Sequence, residues 1–316
     1  MRVRVRTYGL GGCGGAAGAV ASARNVPAGG GRGNRRFRSL RVTQMTMLPH
    51  ALERVPAWAD AWRRTGRLVL LLDFDGTLAP IADLPGLAAM PGTTRHALAR
   101  LMSMPGVEAA VVSGRALADV RERAGIEGAA YAGNHGMEIH SDGLDHVHGE
   151  AAAARPVLEL AARELAAALA PIPGAFVEDK QLTLSVHYRM SPRDRVDELT
   201  AIVERIVNPL PGVHLTAGKE VLEVRPRVEW NKGKAVLFLL EHMRPPAGAP
   251  VLYFGDDRTD EDAFRALRER VGMGDGILVS RAPGSETMAT SYLREPGEVG
   301  EVFAALAEAW TLASQP

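Results

Sequence analysis

The chain has 316 residues, 46% hydrophobic and 23% charged, with 37 basic against 37 acidic side chains and one cysteine, Cys13. That length allows one large domain or two, and a lone cysteine excludes both an internal disulfide framework and a Cys-based zinc site. Apolar runs such as 69–72 and 236–240 fall far short of the ~18 residues that a membrane-spanning helix needs, so an integral helical membrane protein is excluded as well.

The charge is unevenly placed. Residues 1–47 hold nine of the arginines, ten glycines and no acid, which leaves the rest of the chain with 28 basic against 37 acidic side chains, a net −9. A basic Gly/Ala-rich segment without apolar periodicity buries too little to fold. Arg2–Arg6 followed by Ala19–Ala23 imitates a signal peptide poorly, because five glycines between Gly9 and Gly15 interrupt the apolar stretch. A basic tail for nucleic acid is a second functional reading. We expect a disordered extension, or a start placed too early with Met45 or Met47 as the true beginning, and read the fold from residue 48.

From there apolar runs alternate with helical patterns, which predicts an α/β fold with a buried parallel sheet. Leu68–Leu72 reads as a strand, 93–102 as a helix, Val107–Val112 as a second strand and Leu117–Ala124 as a second helix, with short strands over 129–132 and 137–139. Near Gly149 the composition changes. An alanine-rich helix over 151–170 is stopped by Pro171-Ile172-Pro173-Gly174, and strands follow over 176–178 and 182–188, the second alternating Leu182, Leu184, Val186 and Tyr188 with polar residues. Ser191 is placed to cap the next helix, Pro192 suits its first turn, and Val196, Leu199, Ile202, Val203, Ile206 and Val207 form its apolar stripe. Strands over 213–216 and 221–224 would complete a small sheet. The first pattern then resumes with a helix over 234–242, a strand over 251–254, a helix over 261–270 and a strand over 276–279. The expected organisation is a core in two segments, 48–150 and 225–316, with a smaller α/β insert over 151–224.

Four elements carry chemistry. The first strand runs into Asp73-Phe74-Asp75-Gly76-Thr77-Leu78, which sets two carboxylates where open α/β sheets place their sites. Asp and Gly are also common turn residues, so this pair alone would say little. The second strand ends in Ser113-Gly114-Arg115, a hydroxyl and backbone N–H groups at a helix start, suited to phosphate. Asn231-Lys232-Gly233-Lys234 brings a lysine to another helix start, as a point charge for an anion. Finally Gly255-Asp256-Asp257-Arg258-Thr259-Asp260-Glu261-Asp262 follows a buried strand, and so many carboxylates together call for a cation or hydrogen bonds. Asp260 and Glu261 also have a simpler reading as acids favoured at a helix N-terminus.

In this order the four elements resemble the haloacid dehalogenase-like phosphatase superfamily, over about 68–139 and 225–290. The resemblance implies a doubly wound, Rossmann-like parallel-sheet core with an inserted cap. It implies Asp73 as nucleophile, Asp75 as general acid and base, and Ser113, Gly114 and Lys232 on the phosphoryl oxygens. It further implies Mg²⁺ on the Asp73 carboxylate, the Asp75 main-chain carbonyl and Asp256, with Asp257 and Asp260 in support. The chemistry is coherent by itself: a carboxylate nucleophile splits hydrolysis into formation and breakdown of an acyl phosphate, and hard oxygen donors suit Mg²⁺.

Further stretches resemble the trehalose-6-phosphate phosphatases: Gly133-Asn134-His135-Gly136-Met137-Glu138, Glu178-Asp179-Lys180, His187-Tyr188-Arg189, and Gly218-Lys219-Glu220-Val221-Leu222-Glu223. By that resemblance Glu178, Lys180, Arg189, Lys219 and Glu223 of the cap face the sugar, together with Asn134 and His135. Each charge taken alone reads equally as a solvated strand-edge residue, and His135 as a packed core histidine. The implied activity is Mg²⁺-dependent hydrolysis of trehalose 6-phosphate in the cytoplasm, the last step of trehalose biosynthesis. The implied partner is a disaccharide phosphate, with functional coupling to a trehalose-6-phosphate synthase and with neither nucleic acid nor membrane as partner. Two alternatives stay open: a related phosphatase acting on a sucrose or glucosylglycerol phosphate, and a non-catalytic sugar-phosphate sensor.

Overall fold

The computed structural model describes residues 48–270, 274–281 and 286–313. The expectation of a disordered 1–47 lies outside the described residues.

Helix α1 (Ala51–Thr65) turns Val55, Trp58, Ala59 and Trp62 inward at three- and four-residue spacing. Strand β1 (Leu68–Leu72) is buried on both faces: Leu68, Leu70 and Leu72 enter one hydrophobic cluster, Val69 and Leu71 another. That two-sided burial is why its sequence is continuously apolar rather than alternating. Next come α2 (Gly92–Met102), β2 (Val107–Val112), α3 (Leu117–Ala124) and β3 (Ala130–Gly133), followed by β4 (Glu138–Ser141) and β5 (Leu144–Val147). The chain then forms α4 (Gly149–Ala153), α5 (Arg155–Leu169), β6 (Phe176–Asp179), β7 (Leu184–His187), α6 (Val196–Val207), β8 (Val213–Ala217) and β9 (Val221–Pro226). It closes with α7 (Lys232–Met243), β10 (Val251–Gly255), α8 (Asp260–Glu269), β11 (Asp275–Val279), β12 (Ser291–Leu293) and α9 (Pro296–Ala313).

The large sheet has the order β12-β11-β10-β1-β2-β3-β4-β5, parallel from β12 to β3 and antiparallel beyond. From β1 the chain proceeds outward through β2 and β3, and later returns to β10 on the other side. The carboxyl ends of β1 and β10 therefore flank the point where the winding reverses, the crevice where such sheets bind ligands. The second sheet, β6-β7-β9-β8, is antiparallel and buries Leu184, Val186, Leu222 and Val224 against Leu158 and Leu165 of α5 and Leu199 and Val203 of α6. A smaller cluster of Met137, Ala151 and Leu182, with Trp230 against it, joins the two layers.

The predicted helix over 151–170 is two helices, broken at Ala154 where Pro156 enters the first turn of α5. Ser191 does not cap α6: a 3₁₀ turn over Arg193–Arg195 intervenes, and Ser191 is buried instead. Helices α1 and α9 and strands β5 and β12 were not among the expected elements. No described helix is long and apolar enough to cross a membrane. Phe303 of α9 is fully buried and packs edge-on to Phe254 of β10, with centroids 5.5 Å apart. Phe303→Ala is expected to cost about 3–5 kcal/mol, read as a lower midpoint in urea denaturation.

Candidate active site

β1 continues directly into Asp73, whose N–H bonds the Phe254 carbonyl of β10 at 2.9 Å. The turn that follows presses on the loop after β10. A Cβ on Gly76, whose φ is +86°, would lie 2.2 Å from Asp256 Oδ2, so only glycine permits this approach.

Asp73 is 4% exposed. Lys232, at the first turn of α7, donates from Nζ to Asp73 Oδ1 at 2.7 Å and to Asp260 Oδ1 at 2.8 Å. Asp260, wholly buried at the start of α8, also accepts from the Tyr253 hydroxyl at 2.6 Å and from the N–H groups of Asp256 and Asp257 at 2.9 and 3.0 Å. Its oxygens are committed, so it fixes the lysine and the 256–257 loop and does not line the cleft. Asn231 orients the helix start by accepting from the Lys234 N–H at 2.9 Å.

The electrostatics follow from this crowding. Burial pushes the Asp73 carboxyl well above the usual carboxylate range, opposed by Lys232 and reinforced by Asp260, Asp256 and Asp257. Burial lifts Asp256 to about 6, against the pull of Lys219. Burial would raise Asp257 too, but Lys232 and the two Thr259 donors outweigh it and bring that carboxyl down to about 2. Burial acts to discharge Lys232, yet Asp260 and Asp73 hold its pKa well above the ordinary lysine value. Oxygens of Asp73, Asp256 and Asp260 lie within 4.8 Å of one another, those of Asp73 and Asp256 toward the cleft. Such a concentration of hard oxygen donors and excess negative charge fits a small divalent cation.

Asp75 does not join that cluster through its side chain. Arg115 forks its carboxylate, Nε to Oδ2 at 2.6 Å and Nη2 to Oδ1 at 2.7 Å. The Ser113 hydroxyl accepts from the Arg115 N–H at 3.2 Å, and the His135 N–H bonds the Ser113 carbonyl at 2.8 Å, stitching the loops after β2 and β3 together. A Cβ on Gly114 would sit 2.7 Å from the His135 ring, so this stitch too depends on glycine.

The cleft measures about 460 Å³, and every predicted site residue lines it except Asn134 and Asp260. From the small sheet, Glu178 bonds His187 at 2.7 Å, Arg189 pairs with Glu220 at 2.9 Å and donates to the Lys219 carbonyl at 3.0 Å. Lys219 reaches Asp256 Oδ2 at 2.5 Å, so its ammonium lies at the acidic loop of the large sheet. Glu223 lies 3.2 Å from His135 Nε2, and Lys180 donates to Glu223 at 3.3 Å and to the Gly114 carbonyl at 3.0 Å. Burial would raise the Glu223 carboxyl, but His135 and Lys180 hold it well below the ordinary range.

Asn134 has other partners. Expected to face the sugar, it is fully buried, donates to Glu138 at 2.7 Å and the Lys180 carbonyl at 2.8 Å, and accepts from Thr183 at 2.7 Å. Both of its amide hydrogens are committed, and the carboxamide ties the two layers together. Sequence reasoning also passed over Arg115. Its signals were a helix start directly after Ser-Gly and an acid, Asp119, four residues on.

Acid-rich loops at the ends of two adjacent central strands, with a lysine at a helix start between them, place the fold among the haloacid dehalogenase-like hydrolases. A solved hydrolase of that class from Bacteroides thetaiotaomicron is 14% identical and covers 76% of this chain and 98% of its own, with a TM-score of 0.53. More narrowly, the chain belongs to the trehalose-phosphatase family, whose model matches residues 71–297. The trehalose-phosphate phosphatases of Mycobacterium marinum and Mycobacterium avium are each 41% identical to it, over 246 and 271 residues, or 76% and 84% of the chain. The chain spans 62% and 68% of the length of those two relatives. The solved C-terminal domain of the trehalose-6-phosphate phosphatase of C. albicans is 26% identical and covers 83% of this chain and 98% of its own, with a TM-score of 0.69.

Two measurements check the electrostatics. Lys232→Met leaves Asp73 and Asp260 buried without their shared cation, and the expected cost is about 3–5 kcal/mol in denaturant unfolding. Burial holds His135 below the ordinary histidine value against the pull of Glu223, and burial also lowers His146 and His214. As pH falls below about 6.5 the unfolded chain therefore takes up protons first, so stability declines with acidification through and below that point. His135→Gln is expected to flatten part of that decline in a melting-temperature series against pH.

Proposed function

We propose that this chain hydrolyses trehalose 6-phosphate to trehalose and inorganic phosphate through an aspartyl phosphate. In this reading the small sheet with its helices is a cap, residues 151–224, inserted between core segments 48–150 and 225–316. The observation that supports it best is the buried Asp73 held by Lys232 beside Asp256, in a family whose relatives are named trehalose-phosphate phosphatases.

Asp73 Oδ1 is engaged by Lys232, and we assign attack on phosphorus to Oδ2. As the new P–O bond forms, the ester P–O bond breaks, and its electron pair goes to the sugar oxygen, which takes a proton from Asp75. A water then gives a proton back to Asp75 while its oxygen bonds phosphorus and displaces the Asp73 carboxylate. Ser113, the Gly114 N–H and Lys232 hold the phosphoryl oxygens. Mg²⁺, held by Asp73, the Asp75 main-chain carbonyl and Asp256, would supply neutralisation of phosphoryl charge. Glu178, Arg189 and Lys219 read sugar hydroxyls. Lys180 and Glu223 act chiefly as the clasp between the layers, with His135 and Asn134 as its counterparts on the core.

A phosphate-release panel tests the assignment, using trehalose 6-phosphate, a sucrose phosphate, glucosylglycerol phosphate and glucose 6-phosphate, with Mg²⁺ or with chelator. Highest kcat/KM on trehalose 6-phosphate with loss on chelation is the expected result; preference for another sugar phosphate overturns the substrate. Asp73→Asn should fall to background, and activity within about tenfold of the parent, roughly 1.4 kcal/mol of barrier, would remove it as nucleophile. Glu178→Ala is expected to lower kcat/KM for trehalose 6-phosphate about ten- to hundredfold while sparing p-nitrophenyl phosphate, since a hydrogen bond to a charged group contributes roughly 1.5–3 kcal/mol.

A further inference from the structure

Arg115 carries an interaction that the reading above leaves unused. It is 6% exposed, and its guanidinium is held on every edge. Besides the fork on Asp75, Nη1 donates to Asp119 Oδ2 at 2.6 Å and Nη2 to the Pro85 carbonyl at 2.9 Å, in the segment that follows the Asp75 turn. Asp119 in turn accepts from Arg123 Nε at 2.7 Å, and Arg123 Nη1 reaches the Gly86 carbonyl at 3.0 Å. The Phe74 ring lies 5.4 Å from the guanidinium carbon. Arg115 is therefore fixed, whereas the Asp75 side chain is 38% exposed and opens on the cleft. A guanidinium offers donors only, so the fork accepts Asp75 as a carboxylate. It occupies two of that group's roughly four lone-pair sites and leaves the others for a water.

We propose that Arg115 is the positioning residue of the second half-reaction: it docks Asp75, once the ester oxygen has taken its proton, as the base that receives a proton from the attacking water. This rests on the reading of Asp73 as nucleophile and Asp75 as acid and base. In the step concerned the water oxygen bonds phosphorus, one water proton passes to Asp75, and the P–O bond to Asp73 breaks with its electron pair returning to that carboxylate. Arg115 exchanges no proton and touches no reacting atom. Its loss should spare formation of the aspartyl phosphate from an ester whose leaving group needs no proton, and should stall its breakdown.

The test is stopped-flow hydrolysis of p-nitrophenyl phosphate with saturating Mg²⁺, together with acid-quench measurement of protein-bound phosphate. Arg115→Met is expected to release about one equivalent of p-nitrophenolate in a burst, then to turn over about a hundredfold more slowly than the parent, in the range of a lost general base. Phosphate should remain bound to the protein throughout. Arg115→Lys keeps the charge but cannot fork a carboxylate, and is expected to show the same burst with a smaller loss; it decides the matter if Arg115→Met does not fold. Asp75→Asn is run alongside and should also burst. A burst from Asp75→Asn with none from the folded Arg115 variants, or parental turnover in them, overturns the role of Arg115. No burst and no bound phosphate in any variant overturns the aspartyl-phosphate reading and this proposal with it.

Discussion

The ammonium group of Lys232, sealed between the carboxylates of Asp73 and Asp260, is the interaction around which the site is built. Isolated charges at this depth would each cost several kcal/mol, and a shared cation offsets that only if every remaining lone pair is also satisfied. Asp260 meets the condition through Tyr253 and two backbone N–H groups. Both Lys232 and Asp260 open helices, α7 and α8, so two positive helix ends converge on the same acidic loops. Even so, two lysines, Lys232 on Asp73 and Asp260 and Lys219 on Asp256, face four carboxylates, with Asp257 the fourth. The cluster keeps more carboxylates than lysines, a donor set that suits a small divalent cation.

The sheet makes that arrangement possible. Parallel strands bring their carboxyl ends to one edge, and the reversal between β1 and β10 leaves the crevice into which Asp73 and Asp256 emerge. The small layer then meets this edge through polar side chains rather than through a broad apolar contact. Asn134 and His135 on one side meet Lys180, Thr183 and Glu223 on the other, with only Met137, Ala151, Leu182 and their neighbours as apolar support. A polar joint of this kind is directional, so it fixes the relative orientation of the two layers.

The acidic loops of the site were the most legible in sequence, because they sit at the ends of strands whose apolar runs are unmistakable. Leu68–Leu72 announces Asp73, and Val251–Gly255 announces Asp256. What sequence could not carry was pairing across distance. Arg115 meets a carboxylate forty residues away, and no local pattern relates the two. The partners of Asn134 were hidden for a similar reason: a carboxamide serves a sugar hydroxyl and a backbone carbonyl equally, and only the fold shows that the Lys180 carbonyl and Thr183 bond it. Helices α1 and α9 were a different failure. The apolar spacing at 55, 58 and 62, and at 299, 302 and 306, was present in the sequence but went unread, and Pro56, Gly297 and Gly300 weaken the local helical signal. Tertiary burial overrode their weak helical propensity.

Strand β9 has a double allegiance. Leu222, Val224 and Pro226 point into the core of the small layer, while Val221, Glu223 and Arg225, between them, form a wall of the cleft. Because the side-chain period of a strand is two, a slip of one residue would drive both charges into the apolar core and turn the apolar residues toward solvent. The same hydrogen-bond ladder that folds this layer thus sets which side chains a ligand can meet. Evolution of a new preference here is confined to exchanging the odd-numbered residues in place. A change of turn length at 218–220 that shifted the register by one residue would disturb the small layer's core and the cleft wall in a single step.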